Sequence, residues 1–428
     1  CDFAMTSFDQ LWVWDDPATA AALTWYRAVA ANRRPAKFRI AATLPARVDP
    51  EKASEEVLWA ELERLTPRFL ERWQKIRDGE ASLGPRAAGS SLLELCHGLA
   101  QRMLTHCNFC RWDCGVDRSR PGKLGACKLA DETRVSSYFH HRGEELIYRG
   151  TRGSGTIFFT SCNMRCAFCQ NGDISTDKDN GMASDGRTLA AMAWLLRMEG
   201  CHNINWVGGD PAIHLHRIVE AIALLGGPPG NPQSVPSRAD LARALPVKAD
   251  FLGEAVLSPE LASYAGAFNA PMLWNSNFYL SDEAVKILRL LMDVWLPDFK
   301  FGPGRCAVTL ARTPRYWETV THYLGLVHGW GEDLTIRHLV MPNHVECCTY
   351  PVLDWIAETM PEVPVNIMDQ YRPDNFCDPG GAKYQDRYAE IARRPTASEI
   401  RAAYDHGRRR GLHFEAITHE KQRRGLFA

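Results

Sequence analysis

The sequence predicts an α/β protein: a full or partial parallel (β/α) barrel, preceded by a helical N-terminal extension and a four-cysteine metal module. Three observations predict it. From residue 156 onward, short apolar runs of strand character alternate with stretches of helical periodicity, the pattern of a parallel sheet with helices on its faces. Before residue 107 the apolar residues recur at helical spacing instead. Between the two, Cys107, Cys110, Cys114 and Cys127 crowd into one short stretch, a density that reads as a metal site.

In chain order, 1–106 forms the helical extension. Residues 18–33 mix alanines with Leu23, Trp25, Tyr26 and Val29. Residues 51–78 carry Val57, Leu58, Leu62, Leu65, Phe69, Leu70 and Trp73 on one helical stripe, and 90–104 follow as another helix after a turn-rich break at 84–89. Nothing catalytic stands out there, and a helical cap packed on the main domain is the expectation. Residues 107–150 hold the metal module and a hairpin expected over 133–149. The barrel then occupies 151–428. Its strands are expected at 156–160, 204–207, 271–275, 293–298, 334–340 and 364–368, with helices near 187–199, 212–225, 282–292, 314–328, 350–360 and 396–410. An insertion at 226–270 interrupts the rhythm. It is rich in Gly, Pro and Ser at 226–236, with a short helical piece near 238–245, and reads as a cover over the barrel mouth or an outside decoration.

Composition narrows the function classes. A formal net charge of −1 over 428 residues gives no global pull toward nucleic acid. No apolar run reaches membrane-spanning length, and no charged-then-apolar start reads as a signal peptide, although numbering from Cys1 leaves a leader open. Of the 14 cysteines, those outside the two tight groups at 107–127 and 162–169 are Cys1, Cys96, Cys201, Cys306, Cys347, Cys348 and Cys377. Tight groups in a long chain read as metal sites in a reducing cytoplasm rather than as a disulfide framework.

The chemistry concentrates after the first expected barrel strand, where Cys162, Cys166 and Cys169 stand at spacing CxxxCxxC. Thiolates on one short loop can converge on a single iron–sulfur cluster, and three of them leave one iron of a four-iron cluster without a protein ligand. Zinc or unligated core thiols are the alternatives, but structural zinc generally takes four protein ligands. Cys107, Cys110, Cys114 and Cys127 suit either a closed zinc site or a fully ligated auxiliary iron–sulfur cluster. The neighbouring need for iron inclines the reading to the cluster. In parallel barrels chemistry sits at the carboxyl ends of the strands. There the sequence puts the cysteine loop, Gly208-Gly209-Asp210-Pro211, Asn275-Ser276-Asn277, Asp298-Phe299-Lys300, Met341-Pro342-Asn343-His344 and Asp369-Gln370-Tyr371, in that strand order.

With these motifs together, roughly 70% of the chain, about 107–413, resembles the pyruvate formate-lyase activating enzyme-like branch of the radical S-adenosylmethionine (SAM) proteins. The matching stretches are 107–127, 153–159, 162–171, 295–300, 336–342 and 366–371. The resemblance implies a radical SAM barrel in which Cys162, Cys166 and Cys169 hold a 4Fe-4S cluster whose open iron chelates SAM. It implies reductive cleavage of SAM to a 5′-deoxyadenosyl radical, hydrogen abstraction from a peptide, protein or small-molecule substrate, and a low-potential donor such as flavodoxin or ferredoxin. Phe168, the aromatic before the last cysteine, fits the signature. Gly208, Gly209 and Asp210 stand where the family has a Gly-Gly-Glu-Pro turn that receives the SAM amino group, with a shorter carboxylate arm here. Asn275 and Asn277 correspond to contacts with SAM, and Lys300, Arg337 and Gln370 to the substrate side. No feature of the chain identifies a glycyl-radical partner.

Two other readings remain at this stage: an iron–sulfur or zinc protein for electron transfer or scaffolding, and a radical SAM enzyme that modifies RNA. The basic residues at 408–410 and 421–424 are what an RNA reading would use; a solvated charged tail is the simpler account. Cys347, beside Cys348 after the fifth strand, is a candidate hydrogen donor to a product radical, or a buried thiol. Cys377 carries the same pair of readings. His214 and His216 are two residues apart on a helix and make a poor ligand pair.

Overall fold

The computed structural model describes residues 8–227 and 259–420. It contains ten strands: β1 (Arg134–His141), β2 (Ser154–Phe159), β3 (Met182–Ala183), β4 (Ile204–Val207), β5 (Ser263–Tyr264), β6 (Ala267–Phe268), β7 (Met272–Ser276), β8 (Val294–Pro297), β9 (Ile336–Leu339) and β10 (Val365–Met368). The main sheet runs β3-β1-β2-β4-β7-β8. Within it β2, β4, β7 and β8 are successive parallel neighbours, and β9 and β10 pair in parallel beside them. Parallel bridges Trp295↔Leu334 and Asp298↔Arg337 carry β8 onto β9. Six parallel strands thus stand in chain order, matching the six expected from sequence. Among the described residues no ladder joins β10 back to β2, so the row is open there.

The strands form where short runs are dominated by apolar residues, with a single asparagine inside β4 and inside β10. β7 and β8 are buried at every position, as strands covered on both faces require. The intervening helices are amphipathic and capped. Ser281 caps the helix Asp282–Leu291 by accepting the Ala284 N–H at 3.2 Å, with Asp282 and Glu283 in the first turn. Thr396 and Glu399 form a reciprocal capping box on the helix Ala397–Arg409.

One expectation fails locally. The 133–149 hairpin has only its first arm: β1 turns antiparallel onto β2, from Val135↔Phe159 to His141↔Ser154. Residues 146–149 are a single helical turn instead. Leu146, Ile147 and Tyr148 are more fully buried there, in a core shared with Phe8, Trp14 and Leu296. Of the insertion, 228–258, including the helical piece near 238–245, lies outside the described residues. The remainder ends in the small β5–β6 hairpin, turned at Ala265 (φ 50°) and Gly266 (φ 75°).

The N-terminal helices, including Glu55–Arg77 and Leu92–Arg102, have no core of their own. Trp25, Phe38, Leu62 and Leu95 belong to one apolar cluster with Trp206, Leu288 and Ile367 of the barrel. Their polar anchors are carboxylates at the amino ends of β8 and β9. Asp293 accepts the Trp25 indole N–H (2.8 Å) and the Lys37 N–H (2.9 Å), and Asp333 accepts the Tyr26 N–H (2.7 Å). Lys37, fully buried, pairs with Glu332. The extension therefore packs against the amino ends of the strands, opposite the site described next. None of the described helices is long and apolar enough to cross a membrane.

Candidate cofactor site at the carboxyl end of the strands

Because the six strands are parallel, the polar loops read from sequence all emerge at one end. The cysteine loop leaves β2 through Thr160 and Ser161, the latter at φ 64°. It is held from two sides. Arg165 and Ala167 donate their N–H groups to Ala311 (3.0 Å) and Leu310 (2.7 Å) of the helix Cys306–Ala311, and Phe376 donates to the Ala167 carbonyl (2.9 Å). The segment after β10 thereby reaches the loop after β2, across the gap where the strands do not pair.

The three thiols are free. The Met164 N–H points at Cys162 Sγ (3.3 Å), the Ser175 hydroxyl at Cys169 Sγ (3.3 Å), and Asn277 Nδ2 lies 3.8 Å from Cys162 Sγ. Burial pushes all three thiols up, Cys166 to about 12 with Lys300 opposing the shift. Such thiols lose their protons on binding metal. Three unpaired sulfurs on one loop, with N–H and O–H donors aimed at them, fit the ligand set of a cluster with three cysteines.

The turn after β4 is moulded onto this loop. Gly208 and Gly209 have φ of 86° and 34°, and a Cβ on Gly209 would stand 1.5 Å from the Ser161 carbonyl oxygen. Asp210 donates its N–H to that same oxygen (3.1 Å). Its buried carboxylate accepts the N–H groups of Ala212 (2.9 Å) and Asn277 (2.9 Å), so it clamps two loops together. Burial raises its pKa to about 7 against these two donors. Asn277 completes the clamp by donating to Asn163 Oδ1 (2.7 Å). Phe168 is turned inward, between Phe301 and Tyr371 at 5.9 Å each.

Beneath this mouth the barrel interior is charged. Arg337, on β9, pairs with Asp298 (2.7 Å) and Glu144 (3.1 Å) and donates to Asn275 Oδ1. Lys300 pairs with Asp298 at 2.6 Å. Glu144 and Glu145 come from the β1–β2 connection, so they enter from the amino end. Glu144 also accepts from Asn205 (2.8 Å) and Glu145 from Asn366 (2.7 Å). Burial and the adjacent Glu144 raise Glu145 to about 8. Asn275, Lys300 and Arg337 are thus brought together. Gln370 is not part of this group: it is exposed and accepts Gln170 Nε2 (3.3 Å) through its backbone carbonyl. Sequence reasoning missed Glu144 and Glu145, which look like the solvated acids of a hairpin turn.

The four-cysteine run packs directly on the cysteine loop. Ser161 Oγ donates to the Cys127 carbonyl (2.8 Å), Trp112 Nε1 to the Asn163 carbonyl (2.6 Å), and Arg165 to the Ala126 carbonyl (2.9 Å). Cys107, Cys110 and Cys127 are buried and Cys114 is half-buried. The Ala126 N–H points at Cys114 Sγ (3.4 Å), and Arg118 reaches Cys107 Sγ (3.9 Å) while lying over Phe109. His214 and His216, as expected, face different partners, the Thr160 and Asp131 carbonyls. Cys377 is buried against the Tyr371 hydroxyl at 3.5 Å.

Cys347 lies elsewhere on the same end, exposed, and beside His344, Cys348 and Cys306. His344 and Cys306 were not singled out from sequence. The available signal was the spacing His-x-x-Cys-Cys, which puts three donors on one turn.

No family model matches the chain. Among solved structures, Streptococcus suis SuiB overlaps at a TM-score of 0.37 and 12% identity, over 60% of this chain and 46% of that one. SuiB bound to S-adenosylmethionine overlaps at 0.38 and 13%, over 60% and 48%. SuiB bound to precursor peptide SuiA overlaps at 0.37 and 10%, over 83% and 61%. The chain therefore spans about half to three-fifths of the SuiB structures it overlaps. The uncharacterized protein MJ0674 of Methanocaldococcus jannaschii is 32% identical over 320 residues, 74% of this chain and 78% of that protein. At that identity and coverage, this chain belongs to the same family as MJ0674.

Proposed function

We propose that this chain is a radical SAM enzyme of activating-enzyme-like type. The observation that carries the reading is the contact between the cysteine loop and the Gly208-Gly209 turn. Three free thiols on one loop sit against a turn whose second glycine has no room for a side chain. When bound, a 4Fe-4S cluster supplies the electron that cleaves SAM to methionine and a 5′-deoxyadenosyl radical, which takes hydrogen from a peptide, protein or small-molecule substrate. Cys162, Cys166 and Cys169 hold the cluster, and the donors from Met164 and Ser175 stabilise their thiolates. The Gly208-Gly209 backbone receives the SAM amino group. Asp210 positions that turn and Asn277, its two oxygens accepting the Ala212 and Asn277 N–H groups. Arg337 and Lys300, only 14% and 20% exposed, hold a substrate carboxylate or carbonyl in the charged interior.

The Cys107–Cys127 run is an auxiliary iron–sulfur site in this reading. The neighbouring need for iron favours a cluster over zinc there. A flavodoxin or ferredoxin is the proposed electron donor and the cytoplasm the proposed compartment. RNA modification draws no observation in its favour: Arg408 pairs with Glu415 (2.7 Å) and Arg410 with Asp354 (3.0 Å), and the basic residues at 421–424 lie outside the described residues. An electron-transfer or scaffold protein would have no use for the Gly208-Gly209 turn or the charged interior.

The test is anaerobic reconstitution with iron and sulfide, iron counting, and assay of 5′-deoxyadenosine after SAM and dithionite. Product at about seven to eight irons per chain supports both clusters, and about four irons with zinc makes the 107–127 site structural. Iron without 5′-deoxyadenosine, unchanged by Cys162→Ala except in iron content, would move the protein to the electron-transfer class.

A further inference from the structure

Four metal-binding side chains converge outside the site just described. Cys306 begins the helix after β8, and His344, Cys347 and Cys348 lie in the loop after β9. Their ligand atoms all lie within 4.8 Å of one another. The sulfurs of Cys306 and Cys347 are 3.7 Å apart, and those of Cys347 and Cys348 3.9 Å apart. His344 Nδ1 is 3.2 Å from Cys347 Sγ and 4.0 Å from Cys348 Sγ. Zinc–sulfur bonds of about 2.3 Å and zinc–nitrogen bonds of about 2.0–2.1 Å imply tetrahedral edges of roughly 3.6–3.8 Å. The observed separations bracket those edges without a metal.

The local backbone explains how neighbouring cysteines face one centre. Residues Val345–Thr349 form a π-helical turn, which widens the step between side chains and recurs at functional sites. Gly302 lets the two loops meet: a Cβ there would stand 2.2 Å from the Cys347 carbonyl oxygen. The histidine is oriented as metal-bound imidazoles are. Its buried Nε2 makes no hydrogen bond here but faces the Glu390 carboxylate at 3.7 Å, so a small rotation of Glu390 would complete the carboxylate–histidine contact that supports a ligating ring. The three cysteines are free thiols, none in a disulfide.

We infer that Cys306, His344, Cys347 and Cys348 bind one zinc ion as a structural Cys3His site. Four protein ligands leave no open position, which separates a structural zinc from a catalytic one, and three soft thiolates with an imidazole suit zinc. Cys347 then has a ligand's role in place of hydrogen donation. The site's effect reaches the cysteine loop through the helix Cys306–Ala311, whose carbonyls at Leu310 and Ala311 receive the Ala167 and Arg165 N–H groups. Zinc binding would fix the first residue of the helix that supports the loop.

The deciding measurement uses the full-length protein purified without added iron or sulfide. Cys347 is exposed, so as a free thiol it reacts at once with N-ethylmaleimide. The expected result is protection of Cys347 that a zinc chelator removes, with at least tenfold faster labelling by peptide mass spectrometry. Metal analysis should show about one zinc fewer in Cys306→Ser and Cys347→Ser, and that zinc retained in Cys110→Ser. Equal labelling with and without chelator would overturn the site, as would protection relieved by reductant alone, which marks a disulfide. Iron in place of zinc, or unchanged zinc in both serine variants of the site, would overturn it too. The labelling experiment needs no variant, so a misfolded mutant does not rescue the idea.

Discussion

At the amino end of the barrel strands, buried carboxylates each hold a helix. At the carboxyl end, a carboxylate of the same kind holds two loops around a place left for something else. Asp293 accepts from Trp25, Lys37 and Met272 and leaves no room for a ligand. Asp210 accepts from Ala212 and Asn277, and the loops it joins present thiols and glycine backbone. Similar chemistry therefore serves stability at one end and positioning at the other. The difference lies in what the joined elements expose, not in the carboxylate itself.

The sharpest way to break that contrast is at its tightest contact. Gly209→Ala forces a Cβ against the Ser161 carbonyl oxygen, so the turn or the cysteine loop must shift by an ångström or more. Displacements of that size cost about 100-fold in rate. 5′-Deoxyadenosine formation should fall by about that factor, a larger loss than the accompanying overpacking cost in stability, about 1–3 kcal/mol, would produce. Asp293→Ala should do the reverse. It strands the Trp25 indole N–H and the backbone N–H groups of Lys37 and Met272, a loss of about 3 kcal/mol or more on the scale of buried unsatisfied donors. Denaturant unfolding should show it, with iron content unchanged. If Asp293→Ala instead abolished SAM cleavage in a stable protein, the two ends would not be separable.

A smaller effect separates them by pH. Burial raises the Asp333 pKa to about 7, with Arg77 opposing the shift and Glu332 adding to it. An unfolded aspartate titrates near 4, so the folded state binds this proton more tightly. Its stabilising contribution is full below about pH 4 and is lost as pH rises toward 7. Asp333→Asn removes that titration. The fall in thermal midpoint between pH 5 and pH 8 should be shallower in the variant than in the wild type. An equal or steeper fall would place the titration elsewhere, for instance on Asp210, whose pKa lies in the same range.

What was legible in the sequence follows from how locally each feature is encoded. The six strands are short, mostly apolar runs, and their order needs only the alternation with helices. Cys162, Cys166 and Cys169 lie on one loop, so spacing alone groups them. The group of Cys306, His344, Cys347 and Cys348 joins two loops after different strands, and only the parallel β8–β9 neighbourhood reveals it. Glu144 and Glu145 were hidden for a related reason: a turn between strands is normally solvated, and here it plugs the barrel. The 146–149 turn read as a strand because Leu-Ile-Tyr suits either state, and the β1 edge that would have paired with it is taken by β2.

The smallest effect concerns Gln370, assigned to the substrate side by resemblance alone. Its side chain is exposed, and its nearest polar contact is the Met368 sulfur at 3.7 Å. What it gives the cysteine loop is a backbone carbonyl, which accepts Gln170 Nε2 and survives truncation. Gln370→Ala should therefore leave SAM cleavage without substrate within about twofold of wild type, since exposed surface changes away from special features stay within about 0.5 kcal/mol. Arg337→Gln, by contrast, leaves Glu144 buried without its arginine and Asp298 with Lys300 alone, and should weaken both stability and turnover. A tenfold loss in Gln370→Ala at unchanged stability would mean that the rim touches the reacting groups, and the division between a charged interior that acts and a rim that does not would have to move outward.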